Sequence, residues 1–415
     1  MQENQIVFVG AARTPVGTYL GSLKTVPVEQ LGITAIEAAM QRSGLDKEVV
    51  DEIIVGNVIG SQTSNNLGRV IGIDAGFPNS TTGMTINRIC GSGMQSAISG
   101  AQSLLLGDAD VVVAGGMESM SRAPFYLPES ARYEGLSPRD LNLIDANAAG
   151  LHSASGQKND DLLNMGLTAE NIVSKFHITR EEQDEFAYTS QQKMAIAQQS
   201  GRMAEEITPV TITDRKGRQT IVDKDEHPRP QITMEKLQHL KPAFRFDGKG
   251  SVTPGNASGF NDGAAFEVMT TQDYAMKHQL TPLGILKAYA ITGCDPRTMG
   301  LGPVQAIQSV LNKTNLSLED LDVLEINEAF AGQVLGCLRE LGISTDSKYY
   351  HERFNPNGGA IAIGHPLGMT GARIITSVLY EFKKYPNKRY AVASACIGGG
   401  QGIAVLLENP HYKKG

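Results

Sequence analysis

Short apolar runs alternate along the chain with longer segments of helical periodicity. Residues 6–9 and 111–114 are uninterrupted apolar runs, and residues 51–57 form a third predicted strand around an apolar centre. Residues 28–43 instead repeat their apolar positions every three to four residues, and Gly44 follows as a C-terminal stop. Apolar strands that alternate with helices are typical of a sheet covered on both faces, so the pattern predicts an α/β fold.

The same order of elements occurs twice. Residues 35–57 are echoed by residues 306–327, with an Ala-to-Leu spacing of ten residues in both copies. Residues 93–97 then match 368–372, and the strand at 111–114 matches 390–393. We therefore predict two halves related by a pseudo-twofold axis. Cys90 and His365 occupy equivalent positions, three residues before the matched glycines, so both side chains are expected to converge on one cleft.

Cys90 lies between a short apolar run and a helical segment with few charges at 94–106. A thiol at such a strand-to-helix turn faces the positive end of the helix dipole, which lowers its pKa and favours the thiolate. The alternative is a buried cysteine that acts as a small hydrophobic residue, which we predict for Cys294 and Cys337. The four cysteines show no C-x-x-C pair and no zinc-ligand spacing, which predicts reduced thiols and no metal.

The composition and net charge limit the kinds of partner that the chain is expected to bind. The chain has 415 residues, of which 41% are hydrophobic, and a net charge of −7. This charge argues against nucleic acid or an anionic membrane as a main partner. No apolar stretch approaches the roughly 18 residues of a membrane span, and no leader-like sequence precedes the first strand. A cytoplasmic location is therefore expected.

Residues 117–249 have no counterpart in the second half and are richer in charge and in Asn, Gln, Ser and Pro. We predict an N-terminal half at 1–119 that is completed by about 250–280, an inserted loop domain at 120–249, and a C-terminal half at 281–415. The insertion contains a predicted helix over 180–200 that begins with a capping box of Thr179 and Glu182. It is expected to cover the cleft or to form an oligomer contact, and the two alternatives are compatible.

Glycine borders three further polar segments, 327–330, 357–368 and 396–402, which contain Asn327, His365 and Cys396. Glycine beside a reactive side chain allows substrate to approach and leaves backbone N–H groups free to bind an oxyanion. A cysteine with one histidine suits peptidase-type acyl transfer. A second thiol adds a group that can move a proton at an α-carbon, which carbon–carbon bond chemistry requires.

Together these motifs resemble those of the thiolase family over essentially the whole chain. They are Ala11-Ala12-Arg13-Thr14-Pro15, Cys90-Gly91-Ser92-Gly93, Gly255-Asn256-Ala257-Ser258-Gly259, Asn327-Glu328-Ala329-Phe330-Ala331, Gly364-His365-Pro366 and Cys396-Ile397-Gly398-Gly399-Gly400-Gln401-Gly402. The resemblance implies a thiolase-like fold of two βαβαβαββ halves in a layered αβαβα core. It also implies an acyltransferase that reversibly condenses two acetyl-CoA to acetoacetyl-CoA and CoA. CoA thioesters would be substrates, with no tightly bound cofactor, and the chain would form a homotetramer, a dimer of dimers.

The resemblance also implies a role for each motif residue. Cys90 would be the acyl-accepting nucleophile, His365 its base, and Cys396 the acid and base at the substrate methyl group. Asn327 would hold a water that forms, with His365, an oxyanion site for the enolate. The N–H groups of Cys90 and Gly398 would form a second oxyanion site, for the thioester carbonyl. The residues implied in binding CoA and the acyl group are Ser258, Arg229, Met165 and Asn164.

Asn164 departs from the family pattern, which often has histidine at this position in the wall of the acyl pocket. This departure leaves open a degradative 3-ketoacyl-CoA thiolase that acts on longer chains. Thr370 stands where the family often has serine.

Two other functions are alternatives to a thiolase. A β-ketoacyl synthase is expected to have His or Asn in place of Cys396, and a non-catalytic thiolase-like lipid carrier would lack a catalytic residue.

Overall fold

The structure is a computed structural model that describes residues 4–135, 142–152 and 164–413. Its strands are β1 (Ile6–Arg13), β2 (Gly17–Thr18), β3 (Glu52–Gly56), β4 (Thr82–Ile86), β5 (Val111–Ser119), β6 (Phe125–Tyr126), β7 (Ile144–Asp145), β8 (Val210–Thr213), β9 (Gln219–Val222), β10 (Asn261–Thr271), β11 (Gly284–Gly293), β12 (Val323–Ile326), β13 (Tyr390–Ile397) and β14 (Gln401–Glu408). Its α-helices are α1 (Val28–Ser43), α2 (Leu67–Asp74), α3 (Ser92–Leu106), α4 (Ser130–Tyr133), α5 (Ala146–His152), α6 (Met165–Phe176), α7 (Arg180–Gln199), α8 (Arg202–Glu206), α9 (Met234–Gln238), α10 (Gln272–Lys277), α11 (Gly302–Thr314), α12 (Ala331–Glu340), α13 (Lys348–Arg353), α14 (Ala360–Ile363) and α15 (Leu367–Lys384).

One mixed sheet runs through the molecule in the order β12-β13-β14-β11-β1-β10-β5-β3-β4, with β2 paired to β10. Counted outwards from the centre of the sheet, the first half supplies β1-β10-β5-β3-β4 and the second half supplies β11-β14-β13-β12. Strands that correspond in the two halves therefore occur in the same order. The halves meet at an antiparallel seam between β1 and β11, from Ile6 opposite Leu286 to Phe8 opposite Gly284. The counterpart of β4 is reduced to one bridge between Leu324 and Phe354. The predicted pair of pseudo-twofold halves is confirmed.

Helices form three layers around the strands of the two halves. α3 and α15 pack against each other at the centre, α3 on β3 and β5, and α15 on β5, β10 and β13. α1 covers the outer face of the first half on β1 and β10, and α11 covers the outer face of the second half on β11 and β14. An apolar cluster fills each space, around Leu31 in the first outer layer, Ile374 at the centre and Val310 in the second outer layer. The layered αβαβα core is therefore confirmed.

The central helices cross where their backbones touch. A Cβ at Gly93 would lie 2.6 Å from the carbonyl oxygen of Gly368, and a Cβ at Gly371 would overlap the backbone nitrogen of Met94. A Cβ at Gly368 would lie 2.7 Å from the carbonyl oxygen of Gly56. We call Gly93, Gly368 and Gly371 the glycine crossing. Because no side chain separates the helices there, the starts of α3 and α15 lie side by side.

Two element bounds differ from the sequence prediction. α3 begins at Ser92, two residues before the segment predicted to be helical, and Cys90 lies in the turn that precedes it. β5 does not stop before its glycines but runs through Gly115 and Gly116 to Ser119. The reason is close packing within the sheet, since a Cβ at Gly115 would overlap the carbonyl oxygen of Ala265 on β10.

Within the described residues, the predicted insertion contributes α4 to α9 and β6 to β9, and its residues 136–141 and 153–163 lie outside them. The predicted long helix is α7, which begins at Arg180 with the expected capping box between Thr179 and Glu182. Just under half of the described residues of the insertion lie in these six helices, so loops are only part of it.

Buried ion pairs anchor the insertion to both halves. Arg13 of β1 lies 2.6 Å from carboxylate oxygens of both Glu206 and Asp225, and all three side chains are fully buried. Arg202 of α8 lies 3.3 Å from a carboxylate oxygen of Glu381 on α15. Breaking a buried pair leaves an uncompensated charge, so these contacts hold the insertion firmly in place.

Candidate active site

Cys90 lies in the turn that joins β4 to α3. The turn closes through two backbone hydrogen bonds of 3.0 Å, from the Gly91 N–H to the Arg88 oxygen and from the Ser92 N–H to the Ile89 oxygen. Ile89 has a φ of +46°, a left-handed conformation that a β-branched residue rarely adopts. Such strain is retained where the surrounding structure needs it. Here the turn presents the Cys90 side chain to a cavity.

The predicted low pKa of Cys90 is wrong for the free site. Burial raises the pKa of its thiol to about 11, and the carboxyl group of Glu118 adds to the rise. Hydrogen bonds from the N–H groups of Gly398 and of Cys90 itself act in the opposite direction. α3 begins only at Ser92, so the thiol lies outside the first helical turn, where the dipole acts most strongly. Cys90 therefore needs a base that accepts its proton.

His365 lies in the turn between α14 and α15, where Gly364 has a φ of +108°. Asn261 of β10 holds this turn, since its Oδ1 accepts the His365 backbone N–H at 2.9 Å. The ring Nδ1 of His365 lies 2.7 Å from the Oγ1 of Thr370, and this hydroxyl donates its own proton to the Pro366 oxygen at 2.9 Å. Nδ1 therefore carries the proton of this pair, and Nε2 is left as the basic nitrogen.

The imidazole of His365 is neutral at physiological pH. Burial lowers its pKa to about 3, and the charge of Arg373 adds to the shift. Nε2 lies 3.4 Å from the Nδ2 of Asn327, which directly follows β12. The Oδ1 of Asn327 is buried and has no hydrogen-bond partner among the described residues. An amide placed in this way can hold a polar molecule beside the imidazole.

Cys396 is a second buried thiol near the nucleophile. It lies near the end of β13, opposite Gly402 of β14. Burial raises its pKa well above the ordinary value, and the nearby Cys90 adds to the rise. Cys396 packs in an apolar cluster with Met299 and Phe330, which themselves line the cavity. A thiolate formed at Cys396 would accordingly be a strong base.

Cys90 and His365 open onto the same cavity, which has a volume of about 610 Å³. The wall is mainly apolar and is formed in part by Ile59, Met120, Phe244, Phe260, Met299 and Phe330. A polar pair of reactive side chains in an apolar cleft is typical of a small-molecule site. The repeat in the sequence thus led to two residues that the fold brings to one cavity.

The four residues implied in substrate binding are placed differently. Ser258 and Met165 line the cavity, whereas Arg229 and Asn164 are absent from the described part of its wall. Arg229 is exposed and donates its backbone N–H to the Oε1 of Gln191 at 2.7 Å. Asn164 caps α6, because its Oδ1 accepts the N–H of Leu167 at 2.9 Å. An asparagine suits this helix-capping position.

Glu118 joins the two halves beside the site. Its carboxyl group accepts backbone N–H groups from Val58 at 3.1 Å, Ile59 at 3.2 Å and Gly368 at 2.9 Å. Burial raises the pKa of Glu118 to about 7. The residue therefore ties the start of α15 to the loop that follows β3.

Asn147 of α5 is a cavity residue that sequence reasoning missed. Its amide is buried, and its Oδ1 has no hydrogen-bond partner among the described residues. The sequence around it is rich in alanine and matches no catalytic motif, so no local signal marks this position. Only the folded wall shows that a polar group lies there.

Within the described ranges, no group of three or more His, Cys, Asp or Glu residues is placed to hold a metal ion. No helix in those ranges is long and apolar enough to cross a membrane. The four cysteines are free thiols; Cys90, Cys337 and Cys396 are buried, whereas Cys294, which was predicted to be buried, is half-buried.

Comparisons with known proteins cover nearly the whole chain. The family model of the thiolase N-terminal domain matches residues 6–273, and that of the C-terminal domain matches residues 280–409. An acetyl-CoA acetyltransferase of Chromobacterium violaceum is 42% identical over 98% of this chain and 100% of its own. A mitochondrial 3-ketoacyl-CoA thiolase of Rattus norvegicus is 42% identical over 97% of this chain and 98% of its own. The crystal structure of the Bacillus anthracis acetyl-CoA acetyltransferase matches with a TM-score of 0.91 at 42% identity, over 98% of this chain and 99% of its own.

The two kinds of relative are equally similar to this chain, so overall similarity does not separate their substrates. Both family models, the near full-length relatives and the layered fold agree on the wider assignment. The chain belongs to the thiolase family of acyltransferases.

Proposed function

We propose that the chain is an acetyl-CoA C-acetyltransferase that condenses two acetyl-CoA to acetoacetyl-CoA and CoA, reversibly, through an acetyl-Cys90 intermediate. The observation that carries this proposal is the opening of Cys90 and His365 onto one apolar cavity, with the thiol of Cys396 nearby. Acyl transfer needs the first pair, and chemistry at the methyl carbon needs the second thiol.

In the first half-reaction, Nε2 of His365 accepts the thiol proton of Cys90 as the sulfur attacks the thioester carbonyl. The N–H groups of Cys90 and Gly398, which point at the sulfur in the free site, bind the oxyanion. The bond to the CoA sulfur breaks, and the CoA thiolate takes its proton from Cys396. Acetyl-Cys90 remains, with an imidazolium at His365 and a thiolate at Cys396.

In the second half-reaction, the Cys396 thiolate removes a proton from the methyl group of a second acetyl-CoA. The raised pKa of this thiol makes its thiolate basic enough for a weak carbon acid. Protonated His365 and a water held by Asn327 bind the enolate oxygen. The enolate carbon attacks the acetyl carbonyl, the Cys90 thiolate leaves, and His365 returns its proton to Cys90.

CoA would bind along the wall that Ser258 and Met165 line, with Ser258 at the pantetheine arm. Arg229 is exposed in the insertion and is free to meet the nucleotide end of CoA. Asn164 would act only indirectly, through the start of α6, since its side chain caps that helix. We keep the insertion at 120–249 as the proposed CoA-binding and oligomer-contact region between the halves at 1–119 and 281–415.

A homotetramer in the cytoplasm is part of the proposal. β4 lies at the end of the sheet, and an edge strand of this kind can pair with another chain. Phe125, Tyr126 and Leu143, on and beside the β6–β7 hairpin, expose apolar surface that a subunit contact would cover. Free thiols are consistent with a reducing compartment.

A second candidate is thiolysis of longer 3-ketoacyl-CoA. The cavity volume of about 610 Å³ and its apolar wall favour this reading, because such a space accepts an alkyl chain. Thiolysis rates over four-carbon to sixteen-carbon 3-ketoacyl-CoA would decide between the two. We expect kcat/KM to be highest for the four-carbon substrate, and a steady rise with chain length would instead support the degradative reaction.

The roles of the two thiols can be separated by substitution. Cys90→Ser should abolish acetyl-enzyme formation from acetyl-CoA, as followed by intact-protein mass spectrometry. Cys396→Ala should still form acetyl-enzyme, but its condensation rate should fall by roughly 10²–10⁴-fold because no base remains for the methyl proton. Cys337→Ala is a matched control, since Cys337 is a buried thiol on α12 outside the cavity wall. Normal condensation by Cys396→Ala would refute the assigned role.

A further inference from the structure

Asn147 lines the catalytic cavity, and its side chain contains a buried oxygen that has no partner among the described residues. The side chain is only 5% exposed. Its Nδ2 donates to the Met120 oxygen at 2.9 Å, which fixes the orientation of the amide, and its backbone N–H donates to the Oδ1 of Asp145 at 2.8 Å. Its Oδ1 has no hydrogen-bond partner among the described residues. The acceptor is therefore buried and unsatisfied.

The described side chains next to Asn147 along the chain and at Met120 offer no partner for this atom. Met120, Ala146, Ala149 and Leu151 line the cavity beside Asn147, and none of their side chains carries a hydrogen-bond donor. A buried acceptor left unpaired costs folding free energy, and native structures rarely keep one without a reason. The unpaired oxygen is therefore suited to a partner that arrives with the ligand.

Asn87, another amide in the described part of the cavity wall, differs in this respect. Asn87 donates from Nδ2 to the Val58 oxygen at 3.0 Å and accepts the Ile89 N–H on Oδ1 at 2.9 Å. Both ends of Asn87 are used to hold the turn before Cys90. Both amide atoms of Asn87 thus have a protein partner, whereas the Oδ1 of Asn147 has none among the described residues.

We propose that Asn147 is a substrate-binding residue whose Oδ1 accepts a hydrogen bond from an N–H or O–H group of the bound thioester. The inference rests on the proposed function, because it takes the ligand to be a CoA thioester. The donors of such a ligand include the two amide groups and the secondary hydroxyl of the pantetheine arm, and a hydroxyl group on the acyl chain where the chain bears one. A carboxylate or a ketone at this point would be disfavoured, since neither can donate to an amide oxygen.

The test is a cycle that removes the acceptor from the protein and the donor from the substrate. Asn147→Leu removes Oδ1 at similar size. One substrate pair is acetoacetyl-pantetheine and an analogue that lacks one donor, with either amide nitrogen methylated or the secondary hydroxyl of the arm removed. The other pair is a 3-ketoacyl-CoA that ends in a hydroxyl and the chain of equal length that ends in a methyl group. The readout is kcat/KM for thiolysis in wild type and variant.

In wild type, the donor-bearing member of one pair should be preferred by about 3- to 10-fold, as expected for one neutral hydrogen bond, and Asn147→Leu should abolish that preference. A loss confined to the pantetheine pair identifies the altered amide or hydroxyl group of the arm as the donor, and a loss confined to the other pair identifies an acyl hydroxyl. If Asn147→Leu leaves the preference within both pairs unchanged, or lowers both members of each pair equally, the proposal is wrong.

Ala149→Leu is the matched control, because it adds bulk to the same wall and removes no polar atom. It should change both members of each pair by the same factor. If wild type cleaves none of these thioesters, the proposed function has failed, and the same pairs are then compared by competition binding, which needs no turnover. A donor preference in binding that Asn147→Leu abolishes would still support the role of Asn147.

Discussion

The hydroxyl of Thr370 determines which nitrogen of His365 carries the proton. Its own proton is given to the Pro366 oxygen, so it can only accept from the imidazole. This arrangement leaves the basic Nε2 beside Asn327. A histidine held in one tautomer needs no rearrangement before it takes a proton, and that is the state in which Cys90 requires it.

Replacing Thr370 tests this arrangement. Thr370→Val removes the acceptor at nearly constant volume, so the two tautomers mix and kcat should fall by about 10-fold with little change in KM. Thr370→Ser keeps the hydroxyl and should retain most of the activity. Nitrogen NMR of the His365 ring gives a readout that a merely structural loss would not produce. Equal effects of valine and serine would contradict the positioning role.

At the scale of elements, the contact between β10 and α15 contains a buried carboxyl group. Glu267 is fully buried, and its Oε1 accepts the hydroxyl proton of Thr376 at 2.8 Å. Its Oε2 has no partner among the described residues. Burial raises the pKa of Glu267 well above the ordinary value, so the folded chain keeps this group protonated where the unfolded chain loses the proton.

The stability of this contact should depend on pH. Because the pKa is raised on folding, Glu267 destabilises the folded chain progressively as pH rises above the ordinary carboxyl range. Glu267→Gln keeps an acceptor for Thr376 but does not titrate. The free energy of unfolding of the Glu267→Gln variant, relative to that of wild type, should therefore increase by up to about 1.4 kcal/mol per pH unit between pH 5 and the raised pKa of Glu267.

Thermal midpoints of wild type and Glu267→Gln at pH 5 and pH 8 would measure the effect. Glu48 is exposed, so Glu48→Gln serves as the control and should shift the midpoint equally at both pH values. A benefit of Glu267→Gln that is constant or shrinks with rising pH would show that the carboxyl group ionises without cost in the folded chain.

At the scale of the whole molecule, the sequence predicted what is periodic or repeated. The alignment of 93–97 with 368–372 led to the two halves and to the convergence of Cys90 and His365 on one cavity. The sequence did not predict properties that depend on contacts between distant segments. The raised pKa of Cys90 arises from burial, and the unpaired oxygen of Asn147 is visible only in the folded wall. Neither property leaves a local pattern.

The insertion shows the same limit. Its composition gives no sign of the ion pairs of Arg13 with Glu206 and Asp225, which join positions about two hundred residues apart. Periodicity and local propensity do not predict contacts between residues so far apart in the sequence. These ion pairs are therefore visible only in the folded molecule.

The glycine crossing has a consequence for how such proteins diversify. Gly93, Gly368 and Gly371 accept no side chain without displacing backbone, so the geometry that brings the thiol and the imidazole together tolerates almost no drift. Apolar side chains such as Met120 and Phe260 line the cavity outside this crossing, so they can change without moving its backbone. Relatives at 42% identity carry either an acetyltransferase or a 3-ketoacyl-CoA thiolase name, and exchanges confined to such wall residues would alter the acyl group accepted while the reaction type stays the same.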